Sequence, residues 1–123
     1  MDVSDNNGQP SISLYRSAPV TLPFKVEVME RHPLGSQAFI NVGNNPYLVL
    51  VAEAGELDVN NIKGFLAAPD QGVNYHKGTW HHYSLCLNEH TNFIVIDRAG
   101  DDHNCDEVRI PDDIVLNVTA LTS

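Results

Sequence analysis

From Ile12 onward the apolar residues fall in short runs separated by turn residues, and no stretch sustains the three-to-four spacing of an amphipathic helix. The runs predict strands at about 11–16, 24–32, 37–42, 47–52, 62–68, 79–87, 92–98 and 107–118. Phe24, Val26 and Val28 alternate with Lys25 and Glu27, the period of two expected of a strand with one buried and one wet face. Tyr47 to Ala52 and Phe93 to Ile96 are nearly continuous apolar runs, which suits strands covered on both faces. Short strands with little helix between them predict an all-β fold, a β-barrel or jelly roll of about eight strands. The polar opening MDVSDNNGQP is expected to be a flexible N-terminus over 1–10, leaving 11–123 as a single domain without internal repeats.

Size and charge narrow the function classes. A chain of 123 residues that is 42 % hydrophobic can bury one sizeable core without disulfide or metal staples. Seven Lys and Arg against sixteen Asp and Glu leave a net charge of −9, and no basic run is present, so nucleic acid and anionic membranes are not expected partners. The acidic start is unlike a signal peptide and no apolar run is long enough for a membrane helix, so a cytoplasmic location is expected. Cys86 and Cys105 are far apart, without paired-ligand spacing, and are expected to be reduced.

Two stretches carry candidate chemistry. Extending the alternation from Phe24 puts Val26, Val28, Glu30 and His32 on the inward face, so the interior turns polar at one end. Pro33-Leu34-Gly35-Ser36 has the composition of a hairpin loop, which would set His32 across from Gln37 with Cβ atoms about 5 Å apart. The second stretch, Gly72 to His82, holds His76, His81 and His82 with Tyr75, Lys77 and the only Trp, Trp80. On the strand that follows Gly78, Thr79 and His81 share one face and Trp80 and His82 the other, so one of the paired histidines is expected to point in and one out.

Glu30-x-His32 followed by Gln37, and His76-x-Gly78-x-x-His81, resemble the two signature stretches of the cupin superfamily, with Glu30 standing where a His is usual and Gln37 where a Glu is usual. The strings ERHPLGSQAFI at 30–40 and QGVNYHKGTWHH at 71–82, with Asp97, Arg98, Gly100, Asn104, Cys105 and Glu107 after them, closely resemble the ureidoglycolate lyase family of bacterial allantoin (purine) degradation. The similarity runs from about Ile12 to Leu116. It departs at Tyr83-Ser84, where Pro-Leu is more typical, and at Asn41, where Pro is; the family also usually carries a further N-terminal segment, so this chain reads as a short member.

The resemblance implies a homodimeric cupin that cleaves ureidoglycolate to glyoxylate and urea. That cleavage needs a base for the carbinol proton and an acid for the departing urea nitrogen, work suited to imidazole and carboxylate groups. His32 and His81 are the expected facing pair, with Glu30 orienting one imidazole or serving as the base. Gln37, Tyr75, Lys77 and Arg98 are the candidate substrate-binding residues, the last two as cations for the substrate carboxylate; Arg98 also suits a structural ion pair. Glu30, His32, Gln37 and His81 are the positions that would hold a divalent metal, with nickel, manganese and zinc as the plausible ions. Two rival readings stay open: a non-catalytic cupin that binds a small carboxylate, and a metal-dependent cupin with another small-molecule reaction.

Overall fold

A computed structural model of the chain describes residues 1–112, 117 and 118. Its strands are β1 (Gln9–Ser17), β2 (Phe24–Lys25), β3 (Val28–Arg31), β4 (Gln37–Asn41), β5 (Tyr47–Ala52), β6 (Lys63–Ala67), β7 (Val73–Tyr75), β8 (Trp80–His81), β9 (Leu85–Cys86), β10 (Thr91–Ala99), β11 (Asp106–Arg109) and β12 (Asn117–Val118). The only helical pieces among the described residues are 3-10 turns at Asp5–Asn7 and Val59–Asn61. The strands form a sheet in the order β1-β10-β4-β7 and a second in the order β11-β3-β8-β5-β6, with β9 also on β5, and β12 pairs with β2. All the ladders between named strands are antiparallel. The all-β barrel expected from the sequence is therefore the observed class.

The two sheets enclose an inner core of Phe39, Tyr47, Val49, Tyr75, Cys86, Phe93 and Val95, in which Phe93 meets Phe39 and Tyr47 edge to face. A second core lies on the far side of the β5 sheet, built from Val26, Met29, Leu48, Leu50, Ala52, Trp80, Leu85, Leu87 and Ile110, with Leu22, Phe24, Val59 and Ile62 packed against it. This explains the unbroken apolar run of β5: Leu48, Leu50 and Ala52 feed one core while Tyr47 and Val49 feed the other. β10 differs from the expectation of cover on both faces. Phe93 and Val95 are fully buried, but Ile94 and Ile96 are only half-buried on its outer face. Opposite them in register stand Ile12 and Leu14 of β1, which are 75 % and 66 % exposed, while Ser11 and Ser13 take the inner positions.

The predicted strands hold as regions but several divide. The 24–32 run splits at Val26-Glu27, and the break changes parity, so Met29 rather than Val28 joins Val26 in the outer core. The 79–87 run divides at His82–Ser84, and the 107–118 run is seen as β11 and β12, its positions 113–116 lying outside the described residues. β7 was not anticipated; it sits in the glycine-bounded stretch before Trp80. β1 begins inside the segment expected to be flexible, and the residues before it lie against the fold: the Asp2 amide donates to Ser36 Oγ, the Ser36 amide donates to the Asp2 carbonyl, and Lys77 Nζ meets Asp5 Oδ2 at 2.7 Å.

Candidate active site

The parity change before Met29 fixes the site. With Met29 committed to the outer core, Glu30 must face the space between the sheets, and it pairs in register with His81 of β8. Trp80 is held on the opposite face by the outer core, by an indole N–H bond to the Gly55 carbonyl (2.8 Å) and by the Arg31 guanidinium over its ring. Trp80 thus turns its neighbour His81 inward. Gly78, at φ +82°, makes the left-handed turn that leads into β8, and its amide donates to the His32 carbonyl at 3.0 Å, tying the two histidine-bearing stretches together.

His32 and Gln37 do meet, though not across a hairpin. β3 and β4 belong to different sheets, so residues 32–36 cross between the layers and bring His32 Nε2 within 3.1 Å of Gln37 Oε1. The pairing geometry of a two-stranded turn was the wrong route to a correct proximity. Gln37 Nε2 donates to Asp97 Oδ2 at 3.0 Å, and His32 Nδ1 lies 2.8 Å from the Asn104 carbonyl. The imidazole rings of His32 and His81 have centroids 5.2 Å apart, and Tyr75 stacks on His81 at 4.1 Å and 11°. His81 Nδ1 is 3.9 Å from Glu30 Oε1 and 3.2 Å from the His82 carbonyl.

Both members of the His81-His82 pair are buried, at 0 % and 3 % exposed, which corrects the expectation of one in and one out. The β8 sheet has a core on each side, so His82 turns into the outer one and meets Phe24 edge to face. Burial drives the His81 pKa down to about 4 and lowers that of His82, because a charged imidazole loses its hydration there. Neutral His81 donates Nδ1–H to its carbonyl partner and keeps a lone pair on Nε2, which is buried without a hydrogen-bond partner. Burial raises the Glu30 carboxyl pKa, with Glu107 adding to the rise and His32 opposing it. Cys105, whose thiol points at Glu30 Oε2 (3.8 Å), is pushed up to about 11 by burial and by Glu30 and Glu107.

Tyr75 belongs to the site through its stack on His81, and burial raises its phenol pKa. Lys77 and Arg98 do not reach it. Lys77 is exposed and bound to Asp5 and Asp2. Arg98 lies on the outer face of β10, one residue out of phase with Phe93 and Val95, where Nε donates to the Asp5 carbonyl (3.0 Å) and the guanidinium approaches Asp102 (3.5 Å). His76 is exposed at the Gly78 turn. Asp97 and Asn104 also contribute contacts to the site, beyond the candidate residues of the sequence analysis. The alternation Phe93, Val95, Asp97 contained the signal for the first; the Asn104 carbonyl, a backbone group in a loop, left none.

A divalent metal fits these residues on three observations. His32 offers Nε2 and Gln37 offers Oε1, two acceptors facing each other at 3.1 Å, with the other end of each side chain already engaged. Donor atoms of Glu30, His32 and His81 all lie within 4.8 Å of one another. His81 carries the unpartnered buried nitrogen. A His nitrogen held by a backbone carbonyl, leaving the other free as a ligand, is the usual outer-shell arrangement at metal centres.

The chain matches the family model described as ureidoglycolate lyase over residues 1–117. It is 49 % identical over 121 residues to a ureidoglycolate lyase of Burkholderia mallei (strain NCTC 10229), a match that covers 98 % of this chain and 71 % of the relative. It is 39 % identical over 117 residues to one of Pseudomonas entomophila (strain L48), covering 94 % and 70 %. Among solved structures it resembles RmlC from Streptococcus suis, determined in complex with dTDP-D-xylose, with a TM-score of 0.50 at 9 % identity over 77 % of this chain and 45 % of that one. The last likeness bears on fold alone and agrees with a cupin-type barrel.

Proposed function

The chain belongs to the ureidoglycolate lyase family, and from that membership we propose that it cleaves ureidoglycolate to glyoxylate and urea at the Glu30, His32, Gln37 and His81 cluster, with a divalent metal held there. The observation that supports this site most directly is the convergence of a half-buried carboxyl of raised pKa with two imidazoles and an amide oxygen between the sheets. The reaction is a carbinolamide breakdown. The hydroxyl proton leaves, the oxygen electrons form the aldehyde carbonyl, the carbon–nitrogen bond breaks, and the urea nitrogen takes up a proton.

Those two proton movements balance, so one group can perform both. Glu30 is placed to be that group: its carboxyl, whose pKa burial raises in the chain without metal, has a second oxygen that would take the carbinol proton and return it to the urea nitrogen. His32, Gln37, His81 and one Glu30 oxygen would hold the metal, which when bound polarises the carbinol oxygen and lowers its pKa. Neutral His81 suits a ligand role, since burial keeps its proton off at ordinary pH. Tyr75, stacked on His81, fixes that ring and closes the site from one side.

The substrate carboxylate finds no partner in Lys77 or Arg98, both bound to the N-terminal segment or the Asp102 loop. A metal ion held by the cluster would supply the missing positive charge among Glu30, Asp97 and Glu107. The same reading includes a homodimer, supported by the apolar outer face of the β1 sheet, and a cytoplasmic location; no helix among the described residues is long and apolar enough to cross a membrane.

The test is urea and glyoxylate release from ureidoglycolate by the purified protein, measured after chelation and again with nickel, manganese or zinc, against the spontaneous rate. Release that chelation suppresses and a metal restores is the expected result. Release indifferent to chelator removes the metal from the reading, and no release from folded protein removes the lyase.

A further inference from the structure

Gln37 is an unusual choice for a cation site because an amide presents either an acceptor oxygen or a donor NH2 group to whatever it faces, and the two ends are nearly the same shape. The residue is 5 % exposed, and its side chain sits between two partners, Asp97 Oδ2 at 3.0 Å from Nε2 and His32 Nε2 at 3.1 Å from Oε1. A carboxylate offers acceptors only, so the end that meets Asp97 must be the NH2. Turned the other way, Oε1 would face the carboxylate and the NH2 would donate to His32 Nε2, occupying that lone pair.

We propose that Asp97 is a positioning residue of the site: by accepting from Gln37 Nε2 it aims the amide oxygen at the centre and leaves both Gln37 Oε1 and His32 Nε2 free to bind a divalent cation. The inference rests on the metal reading given above and extends it to a residue outside the donor set. Asp97 is well placed for the task. Its position on β10, in phase with buried Phe93 and Val95, points its side chain between the sheets, and its neighbour Arg98 is locked on the opposite face, so the strand has no freedom to turn. The amide is thereby converted from an ambiguous group into a fixed oxygen donor, compatible with nickel or manganese.

The test measures manganese binding to the full chain by electron paramagnetic resonance, with nickel binding by calorimetry beside it, in four proteins. The native protein is expected to bind one ion. Asp97→Ala frees the amide to turn and should weaken binding about 10- to 100-fold, the usual effect of losing an outer-shell partner. Asp97→Asn presents either an oxygen or an NH2 group to Gln37, so it aims the amide less firmly and should bind more weakly than the native protein but more tightly than Asp97→Ala. Gln37→Glu combined with Asp97→Ala should bind at least as well as the native protein, because a carboxylate shows oxygen in either orientation and no longer needs aiming. A residue that merely supported the fold would not be rescued by that second change. Undiminished binding in Asp97→Ala, or failure of Gln37→Glu to restore it, overturns the role of Asp97, while absence of binding in the native protein overturns the metal reading itself.

Discussion

The buried neutral imidazole of His81 makes a quantitative statement about acid stability. In the folded chain its pKa is about 4, whereas an unfolded histidine titrates near 6.5. As pH falls through this window the unfolded chain takes up a proton that the folded chain refuses, so stability declines from pH 6.5 downward and the loss levels off below about 4. Linkage with these two pKa values gives a loss of about 2 kcal/mol at pH 5 relative to pH 7 from this one group. Glu30 works in the opposite direction, since its raised pKa lets the folded chain bind a proton first as pH falls, and His82 works in the same direction as His81. Subtraction isolates His81: the native protein and His81→Gln both retain Glu30 and His82. Urea unfolding followed by the fluorescence of buried Trp80, in the presence of chelator at pH 7 and pH 5, should show the native protein losing about 2 kcal/mol more than the variant between the two conditions. Equal losses within about 0.5 kcal/mol would refute the argument that desolvation governs this residue.

Two other substitutions probe features away from the chemistry. Arg98→Ala removes the bonds that hold the Asp5 and Asn6 carbonyls and should cost about 2 kcal/mol, read as a lower urea midpoint together with faster proteolysis before Gly8; an unchanged midpoint would mean that the N-terminal segment adds nothing to the fold. Leu14→Lys, at a 66 % exposed position on the outer face of β1, should convert a homodimer to monomer in light scattering with little change in the midpoint, and a persistent dimer would place the interface elsewhere.

Much of the fold was legible in local pattern. Strand positions followed from alternation and from the apolar runs, because a period of two is written directly into adjacent side chains. What pattern could not show was which strands share a sheet. His32 and Gln37 lie together as their spacing predicts, but the predicted hairpin between them is a crossing between layers, set by Met29 and Trp80 packing on the far side of the β5 sheet. The same second core explains why His82 is buried as well as His81. Of the site residues, Glu30, His32, Gln37, Tyr75 and His81 gather in space. Lys77 and Arg98 do not, since a cation in an acidic chain has many competing carboxylates and carbonyls, and here the N-terminal segment captures both. Asp97 carries part of the family resemblance, but the signal for its place in the site is parity on β10 rather than membership of a histidine cluster.

The double-sided β5 sheet also governs how much error the site can tolerate. Along β3 and β8 consecutive residues answer to opposite demands, Met29 beside Glu30 and Trp80 beside His81. A slip of one residue in either strand would drive a carboxylate or an imidazole into the outer hydrophobic layer and expel a large apolar side chain into the polar one, a double penalty that leaves no nearby alternative pairing. Greasy residues remote from any substrate thereby act as the gauge against which the reacting groups are set. Insertions or deletions within these strands should be far more damaging than substitutions at the site itself, and new chemistry in this barrel is most readily reached by exchanging side chains on one parity while leaving the other untouched.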